Sequence, residues 1–275
     1  MASESRVSRL RLVPQIRRAR EFRLYTAAGG RLTDLWQDGG RAVLGHTPPA
    51  VLRELKNTSE RGLFAPFSSH LEGRFFKALS VLFPGRGFRV YQDEASLRRA
   101  LCKAGFLSPE DGPFPDPAFT ETEAGDNYRP MLWRPFLADG QPLSSLLIPI
   151  LPWPLAPRAL VLDKSLEASF PPPEFVSPVI LAASARAVYD LASSSCRAAG
   201  FPKITRVLSQ DGRWRRRGIY LSLASPGGED DYTALFRRFL EKGFLLPPGP
   251  EEPLILPGTL SPGEETKLAD LLGTP

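Results

Sequence analysis

The sequence of 275 residues predicts a mixed fold with α/β and α+β parts. In residues 22–104, short stretches that alternate apolar and polar side chains precede amphipathic stretches with helical spacing. In residues 179–272, helical patterns surround short apolar runs, which is typical of helices packed on a small, mainly antiparallel sheet. Apolar residues make up 42% and charged residues 24%, as in ordinary globular proteins. The chain is therefore expected to bury a substantial core.

The first hundred residues contain the clearest local signals. Residues 1–23 carry seven arginines and are expected to form a partly helical, solvated arm. Next, two alternating stretches flank Gly29-Gly30, which predicts a hairpin. Proline in a first turn and the apolar spacing predict the helices and the strand that follow. These are helices over residues 49–56 and 69–82, a strand over residues 88–91 and a helix over residues 94–104.

The later elements are separated by proline-rich loops, in keeping with 29 prolines in the chain. Residues 105–145 give no clear pattern, and residues 146–151 and 159–162 are expected to be buried strands. Pro171-Pro172-Pro173 marks a boundary. Beyond it, helices are expected over residues 179–196, 230–242 and 261–272, and strands over residues 204–208, 218–223, 244–246 and 254–256. Ser261 and Glu264 have the spacing of a capping box at the last helix.

Charge and cysteine content limit the classes of function. The formal net charge is +5, with 28 arginines and seven lysines, which permits an acidic partner without requiring one. Cys102 and Cys196 are far apart and belong to no metal-binding pattern, which suits a reducing compartment. No signal peptide and no apolar stretch long enough for a bilayer are present, so a cytoplasmic protein without membrane contact is expected.

Several motifs occur in the order that a known family uses. Asp38-Gly39-Gly40 and Leu44-Gly45-His46-Thr47-Pro48-Pro49 precede the first predicted helix, and Arg217-Gly218 precedes a strand. Glu241-Lys242-Gly243-Phe244-Leu245 and Leu256-Pro257 then lead into the last helix. In this order the chain resembles class III aminotransferases of fold type I, and in particular their glutamate-1-semialdehyde aminomutase branch. The resemblance covers residues 20–105 and 175–272. It implies a pyridoxal-phosphate fold and a dimer whose sites are shared between subunits.

The cofactor site implied by the resemblance is degenerate in this sequence. The family holds the phosphate on a serine-glycine-threonine turn at a helix N-terminus, where backbone N–H groups and the helix dipole favour an anion. The equivalent residues here are Gln92, Asp93 and Glu94. Asp93 would place a negative charge where the phosphate should lie. No cofactor is therefore expected, and pyridoxal phosphate is the alternative.

The Schiff-base lysine and its acidic partner are also doubtful. The family's aspartate-glutamate-valine run is missing from residues 105–165. Among seven lysines, Lys164 alone follows a predicted strand and precedes Pro178, as the family's catalytic lysine does. A catalytic lysine needs burial or neighbouring cations to lower its pKa, whereas Asp163 is positioned to pair with Lys164. A surface lysine is the favoured interpretation, with catalysis as the alternative.

The resemblance, taken with the length of the chain, implies a truncated fold type I aminotransferase. Residues 94–164 have room for about two βαβ units of roughly 30 residues each, so a much reduced large-domain sheet is expected beside a retained small C-terminal α+β domain. The expected organisation is a basic arm over residues 1–21, hairpin and helices over residues 22–85, a large-domain remnant over residues 86–173 and the small domain over residues 174–275.

The remaining chemistry-bearing residues favour structural roles. His46 and His70 do not form a metal pattern, and Ser193, Ser194 and Ser195 lack the surroundings of a nucleophile. The basic run over residues 213–217 is expected to be a solvated turn, although Trp214 among arginines suits a nucleic-acid base.

Three function classes stay open at this point. The first is a non-catalytic, aminotransferase-derived protein that forms a homodimer or a hetero-oligomer with an aminotransferase-like subunit. The second is a residual pyridoxal-phosphate aminotransferase or aminomutase that uses Lys164. The third is a nucleic-acid or acidic-partner binder, whose candidate residues are Arg17, Arg18, Arg213, Arg215 and Arg216.

Overall fold

A computed structural model describes residues 2–119, 128–137, 144–194, 200–210, 212–225 and 227–274. The chain divides into two compact units. The first unit contains residues 1–47, 136–139 and 196–275, and the second contains residues 48–135 and 140–195. The mixed α/β and α+β architecture expected from the sequence is confirmed, since each unit contains both helices and sheets.

The described residues form helices and strands that follow the expected order closely. The helices are α1 (Ala2–Leu12), α2 (Pro49–Ser59), α3 (His70–Leu82), α4 (Glu94–Lys103), α5 (Pro178–Ser193), α6 (Pro202–Gln210), α7 (Glu229–Glu241) and α8 (Pro262–Gly273). The strands are β1 (Ile16–Arg20), β2 (Arg23–Thr26), β3 (Arg31–Asp34), β4 (Gly87–Tyr91), β5 (Met131–Trp133), β6 (Leu146–Pro149), β7 (Arg158–Leu162), β8 (Trp214–Arg217), β9 (Tyr220–Leu223), β10 (Phe244–Leu245) and β11 (Leu254–Ile255). Among these residues, no helix combines the length and apolar character needed to cross a membrane.

The first unit contains two small sheets with strand orders β1-β2-β3-β10 and β11-β9-β8. The predicted hairpin is confirmed as β2 paired antiparallel to β3, with Leu24 opposite Leu32. Strand β10 adds to β3 in parallel, and the backbone N–H of Ile255 donates to the carbonyl oxygen of Leu35 just beyond β3. Helices α6 and α8 contact each other, as do α1 and α7.

The N-terminal arm differs from the expected solvated segment, because part of it is packed. The side chain of Arg9 on α1 is only 2% exposed. It donates to Glu229 at 2.6 Å, and its guanidinium lies 5.1 Å from the centroid of the Tyr232 ring. Arg6 pairs with Glu252. A helix that is polar on all sides has little apolar surface to bury, and these ion pairs and the ring contact attach α1 instead.

Two expectations for the last hundred residues were wrong. Residues 204–208, expected to be a strand, lie in helix α6. Ile204, Val207 and Leu208 have the i, i+3, i+4 spacing of one helix face, and this face outweighs the β-branched content that favoured a strand. The expected solvated turn at residues 213–217 is largely strand β8, because Trp214 is buried and pairs with Leu223 of β9.

The second unit contains one four-stranded sheet with strand order β4-β7-β6-β5. Strand β7 is antiparallel to both β4 and β6, whereas β5 and β6 are parallel. Helix α4 packs on this sheet through Leu97 and Leu101, both fully buried, and helices α2 and α3 pack against α5. This is the much reduced sheet that the chain length predicted.

Part of the poorly patterned middle segment is held by a buried ion pair. Arg134, which follows β5, is 3% exposed and donates to both carboxylate oxygens of Asp116 at 2.7 and 2.6 Å. The backbone N–H of Ala118 also donates to Asp116. Such a two-pronged pair fixes geometry as well as contributing energy, so the segment around Asp116 is anchored beside β5 without regular structure of its own.

Glu264 connects helix α8 to the hairpin of the first unit. Its carboxylate accepts hydrogen bonds from Arg23 at 2.7 and 3.1 Å, from the hydroxyl of Thr33 at 3.2 Å and from the backbone N–H of Ser261 at 2.8 Å. Burial opposes ionisation, but the hydrogen bonds from Arg23 and Ser261 outweigh it and lower the pKa of Glu264 to about 2. The capping box predicted from Ser261 and Glu264 is confirmed.

We predict that Glu264→Gln lowers the free energy of unfolding by roughly 2–3 kcal/mol at pH 7, because a charged hydrogen-bonded partner is lost from a partly buried site. Since folding lowers the pKa of Glu264 from 4.5 to about 2, its contribution is full above pH ~4.5 and disappears as the pH falls through that range. Urea unfolding from pH 7 to pH 3 measures this. Exposed Glu110 supplies the control variant, Glu110→Gln. A deficit of Glu264→Gln that stays constant with pH would contradict the role of the charge.

Candidate functional site

The junction between β4 and α4 is where the resemblance places a phosphate site. Strand β4 ends at Tyr91, and Asp93 is the residue before the first turn of α4. The Asp93 carboxylate accepts a hydrogen bond from the backbone N–H of Ser96 at 2.8 Å. This bond holds the pKa of Asp93 below its ordinary value. An aspartate at this position is a common helix N-cap, so the helix end that could bind an anion carries the chain's own carboxylate.

A second carboxylate occupies the same turn. The backbone N–H of Gln92 donates to Glu174 at 3.1 Å, and the Gln92 side-chain amide donates to the carbonyl oxygen of Phe175 at 3.2 Å. Glu94 pairs with Arg98 and Arg158 at 3.3 and 3.2 Å. Backbone donors of residues 92 and 96 are therefore bound to carboxylates of this chain. The arrangement is poorly matched to a phosphate dianion, because like charges would lie side by side.

Tyr91 makes the floor of this junction apolar. Its side chain is 1% exposed and packs in a cluster with Leu97, Phe114 and Leu160. Burial raises the pKa of the Tyr91 hydroxyl to about 12, so the phenol is neutral at physiological pH. The strand end thus contributes a packed neutral side chain to the core, and no charge that could attract an anionic ligand.

Lys164 lies at the surface. It is the first residue of the 3₁₀ helix Lys164–Ser169, which follows β7, and its side chain is exposed. Asp163 pairs with Arg86 at 2.9 Å, although the sequence suggested a pair with Lys164. The other lysines are exposed as well, namely Lys56, Lys77, Lys103, Lys203, Lys242 and Lys267. A Schiff-base lysine is commonly desolvated in a hydrophobic pocket, whereas all seven lysines of this chain are exposed to solvent.

His46 belongs to a structural network in the first unit. Its Nε2 atom lies 2.7 Å from the Oδ2 atom of Asp34, a residue that is 1% exposed. The other oxygen of Asp34 accepts from the backbone N–H groups of Trp36 and Gln37, each at 2.9 Å. Asp34 thereby stabilises a turn in which Gln37 adopts a φ of 51°, an uncommon value outside glycine. The geometry agrees with the structural role expected for His46.

The remaining candidates do not converge on one site. His70 is exposed at the start of α3, and Ser194 donates to the carbonyl oxygen of Asp190 at the end of α5. Ser195 lies outside the described residues. Within the described ranges, no group of three or more histidine, cysteine, aspartate or glutamate side chains is arranged to hold a metal ion.

The basic run of β8 is largely engaged within the first unit. Arg213 donates to the carbonyl oxygen of Thr274 at 2.7 Å, and Arg216 donates to the Thr205 hydroxyl at 2.8 Å. The Trp214 ring is buried, and its Nε1–H donates to the carbonyl oxygen of Leu272 at 3.2 Å. Trp214 is therefore not presented for stacking on a base, while Arg215 stays exposed.

Sequence reasoning missed the capping role of Asp93 and the contact of Glu174 for different reasons. The capping role of Asp93 had a local signal, namely an aspartate directly before a helical pattern. Glu174 had none, because its bond to Gln92 joins residues 82 positions apart. Such a contact depends on how the loop before α5 returns to the end of β4, which periodicity does not encode.

Comparison with solved structures identifies the fold. The chain superposes on ornithine δ-aminotransferase of Plasmodium falciparum with a TM-score of 0.67 and 13% identity, over 95% of this chain and 92% of that chain. An ω-transaminase from Sphaerobacter thermophilus gives a TM-score of 0.68 at 10% identity, over 99% and 96% of the two chains. N-acetylornithine aminotransferase from Stenotrophomonas maltophilia gives 0.67 at 13% identity, over 99% and 97%. The chain therefore has the fold of class III aminotransferases, as the resemblance implied.

Sequence comparison finds relatives of undescribed function. An uncharacterized protein from Treponema pallidum is 28% identical over 294 aligned positions, which cover 90% of both chains. A second uncharacterized protein, from Borreliella burgdorferi, is 37% identical over 102 positions, which cover 35% of this chain and 38% of that one. No protein-family model matches the chain. The fold is thus established by structure, while the sequence relatives name no activity.

We predict that Asp93→Ala lowers the melting temperature, because the first turn of α4 loses the acceptor of the Ser96 N–H. Asp93→Asn keeps an acceptor at the same position and is expected to retain most of the stability. Thermal unfolding followed by circular dichroism at pH 7 distinguishes the two variants. Equal losses in both would show that the negative charge, and not the capping hydrogen bond, is what stabilises this turn.

Proposed function

We propose that this protein is a non-catalytic member of the class III aminotransferase fold that acts as a binding or oligomerisation partner. The observation that carries the proposal is the Asp93 carboxylate at the N-terminus of α4, 2.8 Å from the Ser96 N–H. This helix end would have to receive the cofactor phosphate in a working enzyme, and a carboxylate there repels it. Exposure of all seven lysines supports the same conclusion.

The sequence motifs support a more specific assignment within the family. We propose descent from the glutamate-1-semialdehyde aminomutase branch, on the collinear motifs between residues 38 and 49 and between residues 217 and 257. Isolated cysteines and the lack of apolar segments support a cytoplasmic location. Enzymes with this ancestry act as dimers, so we expect the subunit interface to be retained. The partner is a second copy of this chain or an aminotransferase-like subunit.

Exposed aromatic side chains support a partner surface on the second unit. Phe64 and Phe67 lie in the irregular segment between α2 and α3 and are 61% and 58% exposed. Leu52 on the preceding helix is 42% exposed. Single exposed apolar residues are ordinary, but two phenylalanines three positions apart on one short segment are a typical anchor for an interface. In an oligomer, this segment between α2 and α3 would be buried against a partner subunit.

We predict that the purified protein binds no pyridoxal phosphate at a defined site. Addition of the cofactor is expected to give no saturable visible absorbance band. Borohydride reduction followed by peptide mass spectrometry should then find only scattered labelling of lysines, because all seven are exposed. Lys164→Arg and Lys103→Arg are matched variants, since both remove one exposed lysine. A saturable band that Lys164→Arg abolishes and Lys103→Arg preserves would restore the enzymatic alternative.

We predict that the double variant Phe64→Ser/Phe67→Ser weakens self-association. Burial of a phenylalanine side chain contributes roughly 2–3 kcal/mol, so loss of two should raise the dissociation constant by at least about a hundredfold. Light scattering during gel filtration over a range of concentrations measures this. Val7→Ser/Leu12→Ser, which removes two exposed apolar side chains from α1, is the control. If the wild type is monomeric throughout, the homodimer proposal fails and a hetero-oligomer remains to be sought.

A further inference from the structure

Strand β1 is an exposed edge strand with an unusual amount of unneutralised charge. It has the sequence Ile16-Arg17-Arg18-Ala19-Arg20 and lies at one end of the sheet order β1-β2-β3-β10. All three of its arginines are exposed, and Ile16 is 36% exposed. The guanidinium of Arg18 lies 4.5 Å from the centroid of the Tyr25 ring on β2. In the part of the chain that the structure describes, Arg17 and Arg20 make no ion pair or side-chain hydrogen bond.

Several other arginines of the same unit are paired with carboxylates. Arg6 and Arg9, both on α1, pair with Glu252 and Glu229. Arg23 and Arg31 both pair with Glu264. Glu21, in the turn after β1, lies 3.5 Å from Arg23. Among the described residues, Arg17 and Arg20 have no carboxylate within ion-pair distance, so their charge is available to an external group.

The edge position of β1 sets a second requirement for a ligand, besides negative charge. One side of the β1 backbone has no neighbouring strand in the described sheet, so its N–H and C=O groups are open to another extended chain. A strand that adds to such an edge satisfies these groups and presents its side chains to those of β1. We propose that β1 binds an extended acidic segment of a partner protein by strand addition at its open edge, with carboxylates that pair with the exposed arginines of β1.

An acidic peptide fits this surface better than a nucleic acid does. A phosphate backbone would engage the arginines but would leave the alternating donors and acceptors of the strand edge unmatched. A nucleic-acid site would also gain from an exposed aromatic platform. Trp214, the aromatic residue of the other basic run, is 7% exposed, and Arg213 and Arg216 next to it are hydrogen-bonded within the chain.

Pairing with β1 or β8 of a second copy of this chain is disfavoured at the same edge. The other basic edge strand, β8, presents exposed Arg215 and also terminates its sheet. Pairing β1 with β1 or with β8 would bring arginines together, and like charges on paired strands are destabilising. A strand that adds at this edge is therefore expected to be acidic. This proposal does not depend on the loss of cofactor chemistry, because the residues involved lie outside the β4–α4 junction.

Fluorescence anisotropy with labelled peptides tests the proposal. The probe is a peptide of about eight residues that alternates glutamate and valine, long enough to cover the five residues of β1. A second peptide has the same sequence but carries N-methyl groups on alternate amides, which block strand pairing and keep the charge. We expect the first peptide to bind at low salt, binding to weaken as salt rises, and the N-methylated peptide to bind at least about tenfold more weakly.

Charge reversal locates the surface. The variant Arg17→Glu/Arg18→Glu/Arg20→Glu is compared with Arg53→Glu/Arg61→Glu/Arg237→Glu, which changes the net charge equally at exposed arginines elsewhere. The β1 variant should lose about tenfold or more in affinity, since three exposed ion pairs are removed, while the control variant should bind normally. Circular dichroism verifies that both are folded, and Arg17→Gln/Arg20→Gln, which keeps the Arg18–Tyr25 contact, serves if the triple variant is not.

Three results would overturn the proposal. Equal binding of the plain and N-methylated peptides would show that charge alone acts and that no strand is added. Equal loss in the two triple variants would show that β1 is not the binding surface. Tighter binding of a duplex DNA than of the peptide at the same salt, abolished by the β1 variant, would assign the strand to nucleic acid.

Discussion

The first turn of every α-helix contains backbone N–H groups without a partner inside the helix, and the way these donors are satisfied decides much of this structure. At three helices, carboxylates of the chain itself accept hydrogen bonds from these N–H groups. Glu264 accepts from the Ser261 N–H at α8, Asp231 from the Gly228 N–H at α7, and Asp93 from the Ser96 N–H at α4. At α8 the same carboxylate also binds Arg23, so that one residue caps the N-terminus of the helix and attaches the helix to a sheet.

The same physics determines what the β4–α4 junction can bind. A helix N-terminus attracts an anion through its free N–H groups and its dipole. A carboxylate of the chain itself can accept those hydrogen bonds and interact with the dipole in place of an external anion. Asp93 and Glu174 together replace an external anion with charges that belong to the fold. A mutation that removed Asp93 alone would leave the Gln92 N–H bound to Glu174. Two carboxylates that are far apart in the sequence therefore bind backbone donors of this one turn.

Much of the fold was predictable because its signals are local. The hairpin around Gly29-Gly30, the capping box at Ser261 and the apolar spacing of α3 and α7 each lie within a few residues. Helix α6 was misjudged because Ile204, Val207 and Leu208 suit either a strand or a helix, and its packing on α8 decides between them. At the junction, the charge of Asp93 was foreseeable from its position. The Gln92–Glu174 bond and the Arg134–Asp116 pair were not, since they join residues brought together only by the completed fold.

Arginine content is the remaining compositional feature, and two groups of arginines differ clearly in their surroundings. Buried or half-buried arginines such as Arg9, Arg23 and Arg134 are bound to carboxylates, where a planar guanidinium can form several directed hydrogen bonds. Those of β1 are exposed on an edge strand, where charge prevents indiscriminate strand pairing. A charged edge excludes copies of itself and neutral strands but not a strand of opposite charge. The three arginines that protect this edge are thus the ones that, in our proposal, select an acidic partner, and specificity would arise from what the edge repels as much as from what it attracts.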